Sequence, residues 1–89
     1  MLIISQDKEK IINLDMITII KTTEYGERFA IEVDYLDSEY EIIAKYESKE
    51  EAKKVLQEIV EAYRDYRTAE CDGYTNVLQE TAVFEIPAD

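Results

Sequence analysis

The chain has 89 residues, enough to close one hydrophobic core and not two. Its 21 acidic and 10 basic residues leave a formal net charge of −11. With no histidine and two glycines, His-based triads, His-containing zinc sites, GxGxxG turns and Walker loops are all excluded.

Five short β-prone segments come first: Leu2–Ser5, Lys10–Leu14, Ile17–Thr23, Phe29–Leu36 and Tyr40–Tyr46. Their Ile, Val, Thr, Tyr and Phe content suits a pleated, half-buried surface, and the short gaps imply antiparallel neighbours. Asn13 and Asp15, flanking Leu14, read as turn formers. In the fourth segment Phe29, Ile31, Val33 and Tyr35 alternate with Ala30, Glu32, Asp34 and Leu36. In the fifth, Tyr40, Ile42, Ala44 and Tyr46 alternate with Glu41, Ile43 and Lys45. A two-residue turn at Asp37-Ser38 puts both apolar sets on one face, pairing Tyr35 with Tyr40 and Val33 with Ile42. A three-residue loop would turn Asp34 or Glu41 into the core, so the even loop is expected. That register sets Asp34 directly against Glu41.

The helix has the plainest signature. Ser48-Lys49-Glu50-Glu51 is a capping box, and Ala52, Val55, Leu56, Ile59, Val60 and Tyr63 follow at helical spacing. The spacing predicts a helix of about 18 residues, from Lys49 to about Tyr66, with Arg64 and Arg67 at its negative end. Val55, Leu56, Ile59 and Tyr63 are expected to pack on Ile31, Val33, Ile42 and Ala44. Asp72-Gly73 marks a turn, and residues 74–86 are β-prone, most clearly at Thr81–Ile86 before Pro87. The prediction is one α+β domain spanning 1–89: an antiparallel sheet of five to six strands against one helix, then a C-terminal strand. A strand added last lies at an edge, so self-association into a homodimer or higher oligomer is expected there, through Ala82, Phe84 and Ile86.

The charge is concentrated in two segments. Residues 32–51 carry a net of −6 and residues 68–89 a net of −5 with no base, whereas 1–31 and 52–67 nearly balance. Glu32, Asp34, Asp37, Glu39 and Glu41 on the hairpin, with Glu70, Asp72, Glu80 and Glu85 nearer the C-terminus, are the candidate partner-binding residues. One reading is a solvated face that keeps a small protein soluble. The sharper one is a docking surface for a basic protein, such as a nucleic-acid-binding protein whose groove the acids occupy in place of phosphates. Direct nucleic-acid binding is not expected. No calcium-loop spacing occurs, so no metal or other cofactor is expected. Among the seven tyrosines, Tyr35, Tyr40, Tyr46 and Tyr63 fall on core faces, whereas Tyr25, Tyr66 and Tyr74 suit recognition.

The longest apolar runs, Leu2-Ile3-Ile4 and residues 17–20, fall far short of the roughly 20 residues of a membrane span. No signal peptide is expected, because no basic region stands ahead of a long apolar stretch. Cys71 has no internal partner and its neighbours Glu70 and Asp72 disfavour a thiolate, so a reducing cytoplasm and an inert thiol are expected.

The opening Leu2-Ile3-Ile4-Ser5-Gln6-Asp7-Lys8, then Ile11-Ile12-Asn13-Leu14-Asp15, resembles the start of small uncharacterised proteins of Gram-positive bacteria and their phages. The segment Tyr46-Glu47-Ser48-Lys49-Glu50-Glu51-Ala52 extends that likeness, which covers roughly residues 1–63. It implies a strand-rich sheet closed by one helix, loosely like a pleckstrin-homology domain, and carries no functional residues. In gross properties the chain is also similar to phage-encoded inhibitors of bacterial defence systems. The leading expectation is therefore a non-enzymatic acidic binding protein of that kind, acting in the host cytoplasm if phage-encoded. The alternatives are a protein sequestering a nucleotide signal at an oligomer interface, through Lys21, Arg28, Arg64 and Arg67, or a structural pleckstrin-homology-like domain.

Overall fold

The computed structural model describes residues 1–72 and 83–88, with helix side chains described as far as Arg67. The α+β architecture is as expected. Strands β1 (Leu2–Ile4), β2 (Ile11–Asn13), β3 (Ile17–Tyr25), β4 (Arg28–Tyr35) and β5 (Tyr40–Tyr46) precede helix α1 (Lys49–Asp72), and β6 (Val83–Glu85) follows it. The strands divide into two three-stranded sheets, ordered β2-β1-β6 and β3-β4-β5. β6 runs parallel to β1, while every other pairing is antiparallel.

Each turn has a local cause. Between β1 and β2, the Ser5 hydroxyl donates to Asp7 at 2.6 Å and accepts from the Lys10 N–H at 3.1 Å, while Asp7 also accepts from the Glu9 N–H. These bonds favour the ionised carboxylate and hold Asp7 below its ordinary pKa, the Ser5 bond contributing most. Asn13 accepts from the Asp15 N–H and caps a single 3-10 turn over Leu14–Met16, so both are turn formers as read. β3 and β4 meet across Gly26-Glu27, where Gly26 has φ +65°. A positive φ at the first turn residue suits a type II′ hairpin, and glycine adopts it without steric cost.

The β4–β5 turn overturns the expected register. The Ser38 N–H donates to the Tyr35 carbonyl at 3.2 Å, and the Tyr35 N–H to the Glu39 carbonyl at 2.8 Å. Leu36-Asp37-Ser38 is thus a three-residue loop, with Ser38 left-handed at φ 71° and Asp37 accepting from the Glu39 N–H. Phe29 and Ile31 pair with Tyr46 and Ala44 as expected, but beyond a bulge at Ile43 the pairing shifts by one. Glu32, Val33 and Asp34 then face Ile42, Glu41 and Tyr40. Asp34 and Glu41 are therefore not opposed. The bulge aims two successive residues inward, and both Ile43 and Ala44 are buried. Ile43 takes the core position assigned to Ile42, which is half-buried on the other face.

The core gathers Met1, Ile3 and Ile12 from the first sheet and Ile31, Val33, Ile43, Ala44 and Tyr46 from the second. Ala52, Val55 and Ile59 join them from the helix, and Ile86 from the end of the chain. Leu56, expected on the sheet, is half-buried at the side of this stripe and not among the side chains packed on the core; Tyr63 packs there, and so does Tyr66, expected instead to suit recognition. Ser48 caps the helix by accepting from the Glu51 N–H at 3.1 Å, and its hydroxyl donates to the Glu51 carboxylate. The predicted helix to about Tyr66 is present, and its backbone continues helical to Asp72 through residues with no Gly or Pro. Arg64 and Arg67 consequently lie short of its last turn.

Candidate protein-docking face

Sheet β3-β4-β5 has two unlike faces. One is covered by α1 and carries Ile31, Val33 and Ile43. The other is open, and two cross-strand rows traverse it: Ile19, Asp34 and Tyr40, then Lys21, Glu32 and Ile42. Ile19 and Tyr40 are exposed, as is Leu36 at the adjoining turn. A shallow hollow of about 370 Å³ lies here, lined by Thr18, Glu32, Asp34, Leu36, Ser38 and Tyr40. Tyr40 thus leaves the core face to which it was assigned, because the three-residue loop reverses the facing of the first half of β5.

Lys21 is the counter-ion of this face. Its ammonium lies 3.3 Å from Glu32 Oε2 and 3.7 Å from Asp34 Oδ2, and its pKa is raised, first by the bond to Glu32 and then by the charge of Asp34. One cation between two carboxylates leaves the pair net negative. The second Asp34 oxygen, Oδ1, is shut off from solvent and accepts no hydrogen bond from the described residues. A charged oxygen in that position is costly unless a donor meets it. The acid at the centre of the face is therefore incompletely matched among the described residues.

The five hairpin acids do not form one patch. Glu32 and Asp34 share the open face, and Asp37 and Glu39 are exposed at the turn beside it. Glu41 points to the opposite side, beside buried Val33, where it meets Lys10 at 3.1 Å. There Tyr35 has a raised pKa, mainly from burial and then from the charge of Glu41. Elsewhere Glu85 is paired with Lys8 across the first sheet. Glu70 and Asp72 are on α1 with side chains outside the described set, and Glu80 lies outside the described residues altogether. Of the candidate oligomer residues, Ile86 is buried in the chain's own core and Phe84 packs against it; Ala82, like Tyr74, lies outside the described residues. Those two side chains are thus committed within the chain, and β6 offers only its short backbone edge.

Sequence reading missed the residue that joins the two sheets. Gln6 donates its backbone N–H to the Ile43 carbonyl at 2.9 Å, and its side-chain amide both accepts from the Lys45 N–H at 2.8 Å and donates to the Lys45 carbonyl at 3.1 Å. A single residue thereby imitates a strand on the outer edge of β5. The Tyr46 hydroxyl donates to the Pro87 carbonyl at 2.8 Å and ties down the chain beyond β6. Nothing in the local pattern of Gln6 announces this role, since its side-chain partner lies 39 residues away.

Among the described residues, no group of three or more Cys, Asp or Glu side chains is placed to hold a metal ion, and no helix is long and apolar enough to cross a membrane. No family model, curated protein or solved structure matches the chain.

Proposed function

We propose that this chain is a non-enzymatic binding protein that sets the open face of β3-β4-β5 against a basic surface of a partner protein. The observation that supports this reading is the composition of the central rows, where Asp34 and Glu32 share one lysine and stand among exposed Ile19, Tyr40 and Leu36. Solvated acids that serve solubility do not need a rim of exposed aliphatic and aromatic side chains. Such a rim around charge is what a docking site uses to exclude water from an ion pair. A partner lysine or arginine would supply the second cation that Glu32 and Asp34, sharing Lys21, lack, while Asp37 and Glu39 would steer its approach. The same negative field disfavours contact with phosphate backbones, so direct nucleic-acid binding is not part of the proposal. Action as a phage-encoded inhibitor of a bacterial defence system rests on small size and acidity alone, and fits this mode of docking.

Capture from a bacterial lysate at low and high salt, with intact protein beside a Glu32→Gln/Asp34→Asn variant, tests the face. A basic protein retained at low salt and lost with the variant is expected, at a cost of about 2 kcal/mol or more and with a flatter salt dependence. Glu41→Gln, on the other side of the sheet, should bind as the intact chain does. Equal capture by the Glu32/Asp34 variant would refute the assignment.

A further inference from the structure

The two sheets have four outer edges, and they are unlike. Gln6 occupies the outer edge of β5 at Ile43 and Lys45, and β2 and β6 are three residues long. β3 is nine residues long and pairs on one side alone among the described strands. From Ile19 to Tyr25 its pairing with β4 is unbroken, so it presents a regular template of seven residues. Such an edge is open to strand addition unless a side chain guards it. Lys21 is the residue suited to that guard, but Glu32 and Asp34 draw its ammonium across the open face towards β4.

We propose that β3 pairs antiparallel with β3 of a second copy of this chain, about a two-fold axis at Thr22. The two-residue turn makes Tyr25 and Arg28 a hydrogen-bonded pair, and bonds to β4 then recur at Thr23 and Lys21. The N–H and C=O groups of Ile20, Thr22 and Glu24 are left directed outward. Two-fold pairing preserves faces, so residues of like parity must meet. Centring on Lys21 would oppose two ammonium groups. Centring on Thr22 instead sets Thr22 against its copy, Lys21 against Thr23 and Ile19 against Tyr25.

The last pairing accounts for two exposures at once. Ile19 is 50% and Tyr25 49% exposed, at opposite ends of the regular stretch and on one face. In this register each covers the other, twice, as aromatic and β-branched side chains do across strands. On the helix side, Glu24 of the second copy falls opposite Ile20. Ile20 lines an apolar groove of about 250 Å³ with Leu14, Ile59, Val60 and Tyr63, and Arg64 stands on its rim as the matching charge. The proposal shares Ile19 with the docking face but does not rest on its acids, so Glu32→Gln/Asp34→Asn should leave the dimer in place and separates the two readings.

Sedimentation of the intact chain at about 100 µM should show a dimer, and Ile19→Lys/Tyr25→Lys should weaken association about tenfold or more with an unchanged far-UV spectrum. Both positions are exposed, so the double change leaves the core alone. In a Cys71→Ser background, a cysteine placed at Thr22 should cross-link to its copy, whereas one placed at Val83 should not. A monomer at that concentration, a dimer indifferent to the double change, or cross-linking at Val83 in preference to Thr22 would each overturn it.

Discussion

Ser38 and Glu41 show how one odd loop is accommodated residue by residue. Ser38 holds φ 71° without being glycine. The left-handed region costs an L-residue about 1–2 kcal/mol, offset in part by the larger unfolded-state entropy of glycine. Ser38→Gly should accordingly stabilise the fold by up to about 1 kcal/mol, measured by urea denaturation; a loss of stability would mean that the Ser38 side chain matters to the turn. Glu41, turned inward by the same loop, faces Tyr35 and Lys10. The Lys10 pKa is raised, first through its bond to Glu41 and then by that carboxylate's charge. Both groups hold their protons more tightly in the folded chain than in the unfolded one. Their contribution is complete below the unfolded pKa values, near 10, and is lost as pH rises through the folded ones. Glu41→Gln should bring the Tyr35 phenol down towards its ordinary pKa, read by ultraviolet titration, and soften the alkaline loss of stability. An unmoved tyrosine titration would show burial acting alone.

At the level of elements, the helix stripe makes a graded prediction. Ile59 is 2% exposed in the centre of the core, whereas Leu56 is half-buried at its border. Ile59→Ala should cost about 2–5 kcal/mol and Leu56→Ala clearly less, by thermal or urea unfolding. Equal losses would place the helix axis wrongly. The strands, the cap at Ser48 and most of the buried stripe were legible in the sequence because each depends on spacing within a short window. The register of β4 against β5 was not. Alternation in Tyr40–Tyr46 is compatible with two loop lengths, and keeping acids out of the core selects the even one only if the strand is regular. The bulge at Ile43 removes that assumption. It lets Glu41 turn inward while Ile43 and Ala44 both remain buried, and Lys10, some 30 residues earlier, supplies the charge that makes this tolerable. The proposed docking face was legible as composition, in Glu32 and Asp34, but not as geometry. Moving Glu41 off that face and Tyr40 onto it needed the register, and Lys21 as counter-ion needed the pairing of β3 with β4.

For the molecule as a whole, the treatment of its strand edges decides what kind of object it makes in solution. A chain with two free edges on one sheet polymerises without limit, each copy offering the next a fresh template. A chain with one free edge stops at a pair. In the proposed dimer Gln6 acts as a terminator: by filling the hydrogen-bonding positions of Ile43 and Lys45, it leaves β3 as the longest open border of sheet β3-β4-β5 among the described residues. Gln6→Ala keeps the backbone bond to Ile43 but removes both side-chain bonds to Lys45, baring the end of β5 beside Tyr46. The expected outcome is growth beyond two copies, seen as rising light scattering and thioflavin fluorescence at protein concentrations where the intact chain stays clear. If the variant keeps the size of the intact chain, the limit on growth is set elsewhere. If it grows, two side-chain hydrogen bonds from one half-buried amide separate a protein of finite size from a fibre.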